Sequence, residues 1–115
     1  KRKAKQSLKF KDLIKSCDIG LSTVILKKNL MKKKLFPNLK TKEDYVLWLK
    51  ISKTKVEIVG LNKFLTFWRK LDNSLSSNTV QKILDGFRVY NTYMKYNVVK
   101  SFISLFILSI NFLRR

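Results

Sequence analysis

The most constraining stretch of this chain is its apolar C-terminal segment, residues 98–113. Projected at 100° per residue, its polar side chains form one narrow stripe, and apolar side chains cover almost all of the remaining circumference; the stripe is Lys100, Ser101, Ser104 and Asn111. A helix this apolar is buried in protein or in lipid. Its sixteen residues would span about 24 Å, less than the roughly 30 Å hydrocarbon core of a bilayer. The pattern predicts either an interfacial membrane helix or a core helix packed on a further domain.

The charge of the chain points to an anionic partner. It has 26 Lys and Arg residues against 7 Asp and Glu, a net charge of +19. Such a surface meets nucleic acid, acidic lipid headgroups or phosphorylated substrates. No helix-turn-helix, zinc-finger or RNP-type motif is present, and the aromatic residues fall mostly at core-like positions, which argues against nucleic acid. Anionic lipid attracts each nearby basic residue by about 1 kcal/mol. Charge and the apolar segment together favour a membrane surface.

Composition excludes most acid–base and metal chemistry. The chain has no histidine, which removes His-containing zinc sites and Ser-His-Asp or Cys-His catalysis. Cys17 is the only cysteine, so no intrachain disulfide can form and a reducing compartment fits. Acid–base work therefore falls to the seven carboxylates, to Lys and to Tyr. The 115 residues begin without Met, and we expect them to be one piece of a longer protein.

Residues 41–50 place two adjacent carboxylates, Glu43 and Asp44, at the first turn of a predicted helix. Thr41 and Asp44 have the spacing of a capping box. Apolar and aromatic side chains then recur at helical spacing: Tyr45, Trp48 and Leu49. Because a helix N-terminus stabilises negative charge, we expect Asp44 to be held in place and ionised. Either the pair only starts a helix, or Asp44 is a general base.

The remaining periodicity predicts an α/β chain. Helices are predicted over residues 10–17, 42–52, 79–96 and 98–113, and strands over residues 21–26, 56–59 and 64–69. Residues 1–9 are predicted to form a loop, a strand edge or a frayed end. The helix over residues 79–96 has a predicted core face of Val80, Ile83, Leu84, Phe87, Tyr90 and Met94.

Several short motifs occur in a fixed order along residues 10–96. They are FKDLI at 10–14, CDIGLSTV at 17–24, FP at 36–37, KEDYVLWLK at 42–50, GLN at 60–62, WR at 68–69 and SLSSN at 74–78. In this order they resemble the C-terminal part of bacterial family-two glycosyltransferases, inverting enzymes with the GT-A fold. The Glu-Asp-x-x-Leu-Trp-Leu core is the most specific of them.

The resemblance implies the C-terminal half of a GT-A fold, with a few strands, an acceptor-side helix and a helical tail. Residues 1–96 would be the acceptor-side portion and residues 97–115 the apolar, basic-ended tail. The parent would transfer a sugar from a nucleotide-sugar to a glycan or lipid-linked acceptor in surface-polysaccharide or lipooligosaccharide assembly. It would work as a peripheral protein at the cytoplasmic face of the bacterial membrane. No Asp-x-Asp motif occurs here, so this chain alone is expected to be inactive.

The resemblance also implies site residues. It makes Asp44 the base that deprotonates the acceptor hydroxyl, with Glu43 beside it. Residues for binding the donor phosphates or the acceptor would be Arg69, Lys70, Ser74, Ser76 and Trp48. A surface ion pair is the alternative for Arg69, and a turn role is the alternative for the two serines. The parent is expected to use Mg²⁺ or Mn²⁺, but apolar Leu71 stands where many relatives carry a metal-binding His, so no metal ligand is predicted here.

Two other hypotheses remain open from the sequence. The chain could be a small, non-enzymatic basic protein that binds membrane surfaces, complete as it stands. A nucleic-acid-binding module is the third hypothesis, and it predicts binding that weakens steeply with salt. An upstream nucleotide-binding pattern ending in Asp-x-Asp would decide for the glycosyltransferase.

Overall fold

The computed structural model describes residues 3–31, 36–67 and 78–114. Helix α2 (Glu43–Ser52) is the centre of the fold. Five consecutive apolar or aromatic residues give it no polar face, so it is buried on nearly all sides. Its buried residues are Tyr45, Val46, Leu47, Trp48, Leu49, Ile51 and Ser52. The sequence predicts this helix over residues 42–52, and the prediction is confirmed to within one residue.

The other elements surround α2. In chain order they are β1 (Ser7–Leu8), α1 (Phe10–Leu13), 3₁₀ turns at Leu21–Thr23 and Lys28–Met31, α2, β2 (Ile58–Val59), α3 (Thr79–Arg88), a π-helical segment (Val89–Tyr93) and α4 (Val98–Leu113). Strand β1 pairs antiparallel with β2, with Ser7 opposite Val59 and Leu8 opposite Ile58. The α/β class is therefore confirmed, and the strand predicted over residues 56–59 is confirmed in its second half.

Two predicted strands do not form in the described part of the chain. Residues 21–26 begin with a 3₁₀ turn and carry no strand, and Ile25 is fully exposed. Residues 64–67 are also without regular structure, and Phe67 is 98% exposed; residues 68 and 69 lie outside the described ranges. β-Branched and aromatic residues favour strands only where a neighbouring edge and a core face receive them. Val24 and Leu26 of the first segment pack against the core, but neither segment pairs with a strand among the described residues. Both predictions are therefore wrong where they can be checked.

Helix α1 is shorter than the predicted residues 10–17. It ends at Leu13, and hydrogen-bonded turns continue the chain, with the Ser16 N–H donating to the Leu13 carbonyl at 3.1 Å. The predicted face is nevertheless used. Leu13 is fully buried, and its partly buried neighbours pack against the core: Phe10, Ile14 and Cys17.

The helix predicted over residues 79–96 is divided. Helix α3 ends at Arg88, the π-helical segment follows, and Lys95 then turns the chain at φ 61°. Tyr90 and Met94 are buried as predicted, but the predicted core positions Val80, Ile83 and Leu84 are 51–68% exposed. The buried residues of α3 are instead Asp85 and Gly86. Asp85 is hydrogen-bonded inside the protein, and Gly86 lets α4 approach so closely that an added Cβ would lie 2.7 Å from Leu105 Cδ1.

Helix α4 has the predicted bounds, and its apolar side points away from the rest of the described chain, as both predicted alternatives require. Apart from exposed Lys100, its polar stripe faces the protein. Ser101 is fully buried, and the Asn111 amide donates to the Lys15 carbonyl at 2.9 Å. The opposite side, which we call the outer apolar face, consists of residues that are each at least 55% exposed: Val98, Val99, Phe102, Ile103, Phe106, Phe112 and Leu113. In the described ranges, no helix combines the length and the apolar character needed to cross a membrane.

Candidate active site

The first turn of α2 carries Glu43 and Asp44, and both side chains are half-buried. The helix begins after Lys42, which adopts a left-handed backbone conformation, φ 62° and ψ 17°. The predicted capping box is wrong. Thr41 turns its hydroxyl away from the helix, and the Asp44 carboxylate accepts the N–H of the next residue, Tyr45, at 2.7 Å. The carboxylates therefore start the helix without closing a reciprocal cap.

The environment of Asp44 makes its carboxylate more basic than usual. Burial raises its pKa, and repulsion by Glu43 raises it further, while the hydrogen bond from the Tyr45 N–H and the charge of Lys42 lower it. The net shift of the pKa is upward. The position at the helix N-terminus alone would favour the ionised form of Asp44. In the folded protein, desolvation of the carboxylate outweighs the groups that favour this form, so its pKa rises. A carboxylate with a raised pKa is a stronger proton acceptor when ionised.

Thr41, just ahead of Lys42 and the first turn of α2, is anchored by Asp85, which lies 44 positions later in α3. Thr41 donates its backbone N–H and its hydroxyl to the same oxygen of Asp85, each at 2.9 Å. The other oxygen lies 3.4 Å from the guanidinium of Arg88. Asp85 is completely buried. Burial opposes its ionisation, but hydrogen bonds from Gln81 and Thr41 and the charge of Arg88 hold its pKa below the ordinary value.

Sequence reasoning did not identify Asp85. It lies between Leu84 and Gly86 in a segment whose predicted core face excludes it, and the sequence predicts its partner Thr41 as a helix cap. A single carboxylate in a helix is normally a solvated residue. The only local signal is its place beside Gly86, where another helix can come close.

Trp48, predicted to bind donor or acceptor, lies in the core with 4% of its surface exposed. It follows Asp44 by one helical turn, so the two side chains leave α2 on the same side. Its indole N–H is buried and has no hydrogen-bond partner among the described residues. The structure therefore brings Trp48 close to Asp44 along the helix, and its ligand role stays a prediction.

The other predicted binding residues are not among those that the structure describes: Arg69, Lys70, Ser74 and Ser76, together with Leu71. Within residues 3–31, 36–67 and 78–114, no three His, Cys, Asp or Glu side chains lie together as a metal site would require. A surface cavity of about 580 Å³ lies elsewhere, lined by Lys5, Lys11, Asp12, Lys15, Ser16, Asp18 and Asn111. It includes no residue of α2, so it is separate from the carboxylate pair.

Comparison with known proteins identifies bacterial relatives. Over 98 residues, which are 85% of this chain and 39% of the relative, the chain is 29% identical to TuaG of Bacillus subtilis (strain 168), a glycosyltransferase assigned to teichuronic acid biosynthesis. It is 33% identical over 81 residues to WfgD of Escherichia coli, which covers 70% of this chain and 32% of WfgD. WfgD is named a UDP-Glc:alpha-D-GlcNAc-diphosphoundecaprenol beta-1,3-glucosyltransferase.

A third relative has the same descriptive name. It is WfaP of Escherichia coli, 35% identical over 72 residues, or 63% of this chain and 28% of WfaP. The chain thus spans about a third of the length of these relatives. No protein-family profile and no solved structure matches it. The similarities confirm the resemblance to bacterial glycosyltransferases that the motifs indicate.

Proposed function

We propose that this chain, a segment similar to bacterial glycosyltransferases, forms the acceptor-side part of an inverting enzyme with the GT-A fold. The observation that carries the proposal is the position of Asp44, half-buried and with a raised pKa, on the first turn of the central helix. Its role there is general base. The buried helix supports that role because seven of its ten residues are held in the core, which keeps the first turn rigid.

Asp44 takes the proton of the acceptor hydroxyl while that oxygen attacks the anomeric carbon of the donor sugar. The bond from this carbon to the diphosphate oxygen breaks, and the oxygen keeps the electron pair. Attack from the opposite face inverts the anomeric configuration. Both Escherichia coli relatives are named for β-1,3 transfer from UDP-Glc, in which glucose is α-linked, and this supports inversion for the present chain.

Glu43 assists by keeping Asp44 basic, since its charge raises the pKa of the neighbouring carboxylate. We assign charge neutralisation on the leaving diphosphate to Arg69 and Lys70, and ligand contacts to Ser74, Ser76 and Trp48. For the whole protein we expect Mg²⁺ or Mn²⁺. Among the described residues, no three His, Cys, Asp or Glu side chains lie together to hold such an ion.

The substrates proposed for the whole protein are a nucleotide-sugar and a lipid-linked glycan. The names of WfgD and WfaP support both, because they specify UDP-Glc and a GlcNAc-diphosphoundecaprenol. The product would enter a bacterial surface polysaccharide or lipooligosaccharide. The 115 residues contain no Asp-x-Asp motif, which the nucleotide-binding half of such an enzyme would carry. We therefore propose that this segment alone does not catalyse sugar transfer.

An acceptor carried on a lipid requires an enzyme at a membrane surface, and α4 suits that position. Its outer apolar face presents three Phe side chains, and exposed Lys95, Lys100 and Arg114 lie at or near its two ends. Phe87 of α3 contacts Phe102 with ring centroids 4.9 Å apart, which places the exposed Ile83 and Leu84 next to this face. Apolar surface flanked by cations is the pattern of an interfacial helix. We therefore propose a peripheral protein at the cytoplasmic face of the membrane.

The direct test of the base is Asp44→Asn in the full-length protein, assayed for sugar transfer from a UDP-sugar to a lipid-linked acceptor. We expect a fall in kcat of about 100-fold or more. Glu57→Gln is the matched control, since Glu57 is an exposed carboxylate outside α2. Near-normal turnover by Asp44→Asn would refute the assignment. A thermal unfolding curve of each variant separates loss of activity from loss of fold.

A further inference from the structure

The anchor between Thr41 and Asp85 has a consequence for the reaction. We propose that Asp85 is a positioning residue that holds the first turn of α2, and with it the Asp44 carboxylate, in the orientation needed for proton abstraction. The inference rests on the proposed function, because positioning matters only if Asp44 acts on substrate. Neither the motifs nor the resemblance single out Asp85.

The contact between Thr41 and Asp85 is a strong anchor. Asp85 is completely buried, and one of its oxygens accepts two hydrogen bonds from Thr41, both at 2.9 Å. Hydrogen bonds to an ionised acceptor are stronger than those between neutral groups. A buried carboxylate without them would be costly, so this contact is maintained whenever the domain is folded.

The path along the chain from this anchor to the carboxylate pair is short. Only Lys42 separates Thr41 from Glu43, and its backbone is left-handed at φ 62°. This conformation is unfavourable for a residue with a side chain and persists where the surrounding structure imposes it. Its carbonyl accepts the Val46 N–H at 3.2 Å, the first hydrogen bond of the helix. Fixing Thr41 therefore fixes the direction in which α2 begins.

The anchored segment also reaches the surface of α4. The aliphatic stem of Lys42 passes the backbone of Gly86, at 3.6–3.9 Å from the position of an added Cβ. On the same side Gly86 packs against Leu105 of α4. The start of α2 is thus held against α3, and α3 is held against the helix that carries the outer apolar face. This connects the base to the surface proposed to meet the lipid.

The rate of proton abstraction depends on the position of the Asp44 carboxylate, and the anchor at Thr41 holds that position. Displacement of a reacting group by about 1 Å can lower a rate by about 100-fold. Loss of the anchor should therefore lower kcat with little change in KM for the nucleotide-sugar. An anchor that served folding alone would change stability and leave the kcat of the folded protein unaltered.

The test compares Thr41→Val, Thr41→Ser and Asp85→Asn in the full-length protein. Thr41→Val keeps shape and the backbone hydrogen bond but removes the hydroxyl donor, and we expect kcat to fall about tenfold at unchanged KM. Thr41→Ser keeps the hydroxyl and should retain kcat close to the wild-type value. Asp85→Asn should lower kcat at least as much as Thr41→Val. Wild-type kcat in folded Thr41→Val and Asp85→Asn would overturn the proposal.

A double variant distinguishes this proposal from the function on which it rests. If Thr41 acts through Asp44, then adding Thr41→Val to Asp44→Asn should lower the residual rate by less than twofold. A further tenfold loss in the double variant would overturn positioning through Asp44. Near-normal turnover by Asp44→Asn alone would overturn the proposed base and the positioning role together. An inactive Asp44→Asn beside fully active Thr41→Val and Asp85→Asn would overturn the positioning role only.

Discussion

The phenol oxygens of Tyr45 and Tyr90 lie 3.2 Å apart, and both side chains are completely buried. Each hydroxyl donates to a carbonyl at the end of α1, Tyr45 to Leu13 at 2.7 Å and Tyr90 to Ile14 at 2.9 Å. The pair joins α1, α2 and the π-helical segment at one point of the core. Burial raises the pKa of Tyr90 to about 12 and also raises the pKa of Tyr45.

Replacement of Tyr90 by Phe should therefore lower the free energy of unfolding by about 1–2 kcal/mol, because the Ile14 carbonyl loses its donor. A raised folded-state pKa contributes stability that is complete below pH 10, the ordinary value for Tyr, and is lost as the pH rises through about 12. Urea unfolding at a series of pH values should thus show a flatter alkaline decline in Tyr90→Phe. Tyr93→Phe is the control, since the Tyr93 hydroxyl has no hydrogen bond to any described residue. Equal losses in both variants would contradict the prediction.

Glu43→Gln should shift the pH dependence of sugar transfer. The charge of Glu43 raises the pKa of Asp44, so its removal lowers that pKa. The base is then ionised at lower pH, and the acid limb of kcat/KM should move to lower pH. The midpoint of this limb is the readout, whatever the plateau rate. Glu57→Gln, at an exposed position outside the site, should leave the midpoint in place. A shift of the limb to higher pH in Glu43→Gln would disagree with the proposed pairing.

Phe106→Asp should weaken membrane binding, because Phe106 is 66% exposed on the outer apolar face. Insertion of one Phe contributes about 1.5–3 kcal/mol, so binding to vesicles containing anionic lipid should weaken at least tenfold. Added salt should weaken the remaining attraction. Ile25→Asp introduces the same charge at a fully exposed apolar position outside α4 and should change binding far less. Unchanged binding of Phe106→Asp would indicate that another protein domain covers this face.

Gly60→Ala should destabilise the β1–β2 pair by about 1–3 kcal/mol. An added Cβ would overlap the backbone carbonyl oxygen of Lys5 and lie 2.9 Å from the Ala4 Cβ. The Gly60 N–H also donates to the Gln6 carbonyl at 3.1 Å, so the two segments cannot separate without losing that bond. Gly20→Ala is a matched control, because its added Cβ would lie 3.7 Å from the nearest atom, the Thr23 hydroxyl oxygen. Thermal unfolding compares them, and equal melting temperatures would contradict the expected overlap.

The site could be predicted from the sequence only in part. Glu43 and Asp44 were identifiable because they are adjacent to each other and precede a strongly apolar run, and the order of the flanking motifs resembles one family. Asp85 was not identifiable, because its role depends on Thr41, 44 residues away. The raised pKa of Asp44 could not be predicted either, because its main cause is desolvation by burial, which only the folded chain shows.

Sequence alone determined the features that depend on near neighbours. The apolar run of α2 and the interrupting Asn97 before α4 set the extent of both helices, since helical hydrogen bonds link residues four apart. The pattern of residues 98–113 also defined a polar stripe and an apolar face. Which side faces the protein was decided only by the tertiary structure. There, buried Ser101 and the hydrogen bond from Asn111 to Lys15 hold the polar side of α4 against the protein and leave the apolar face outside.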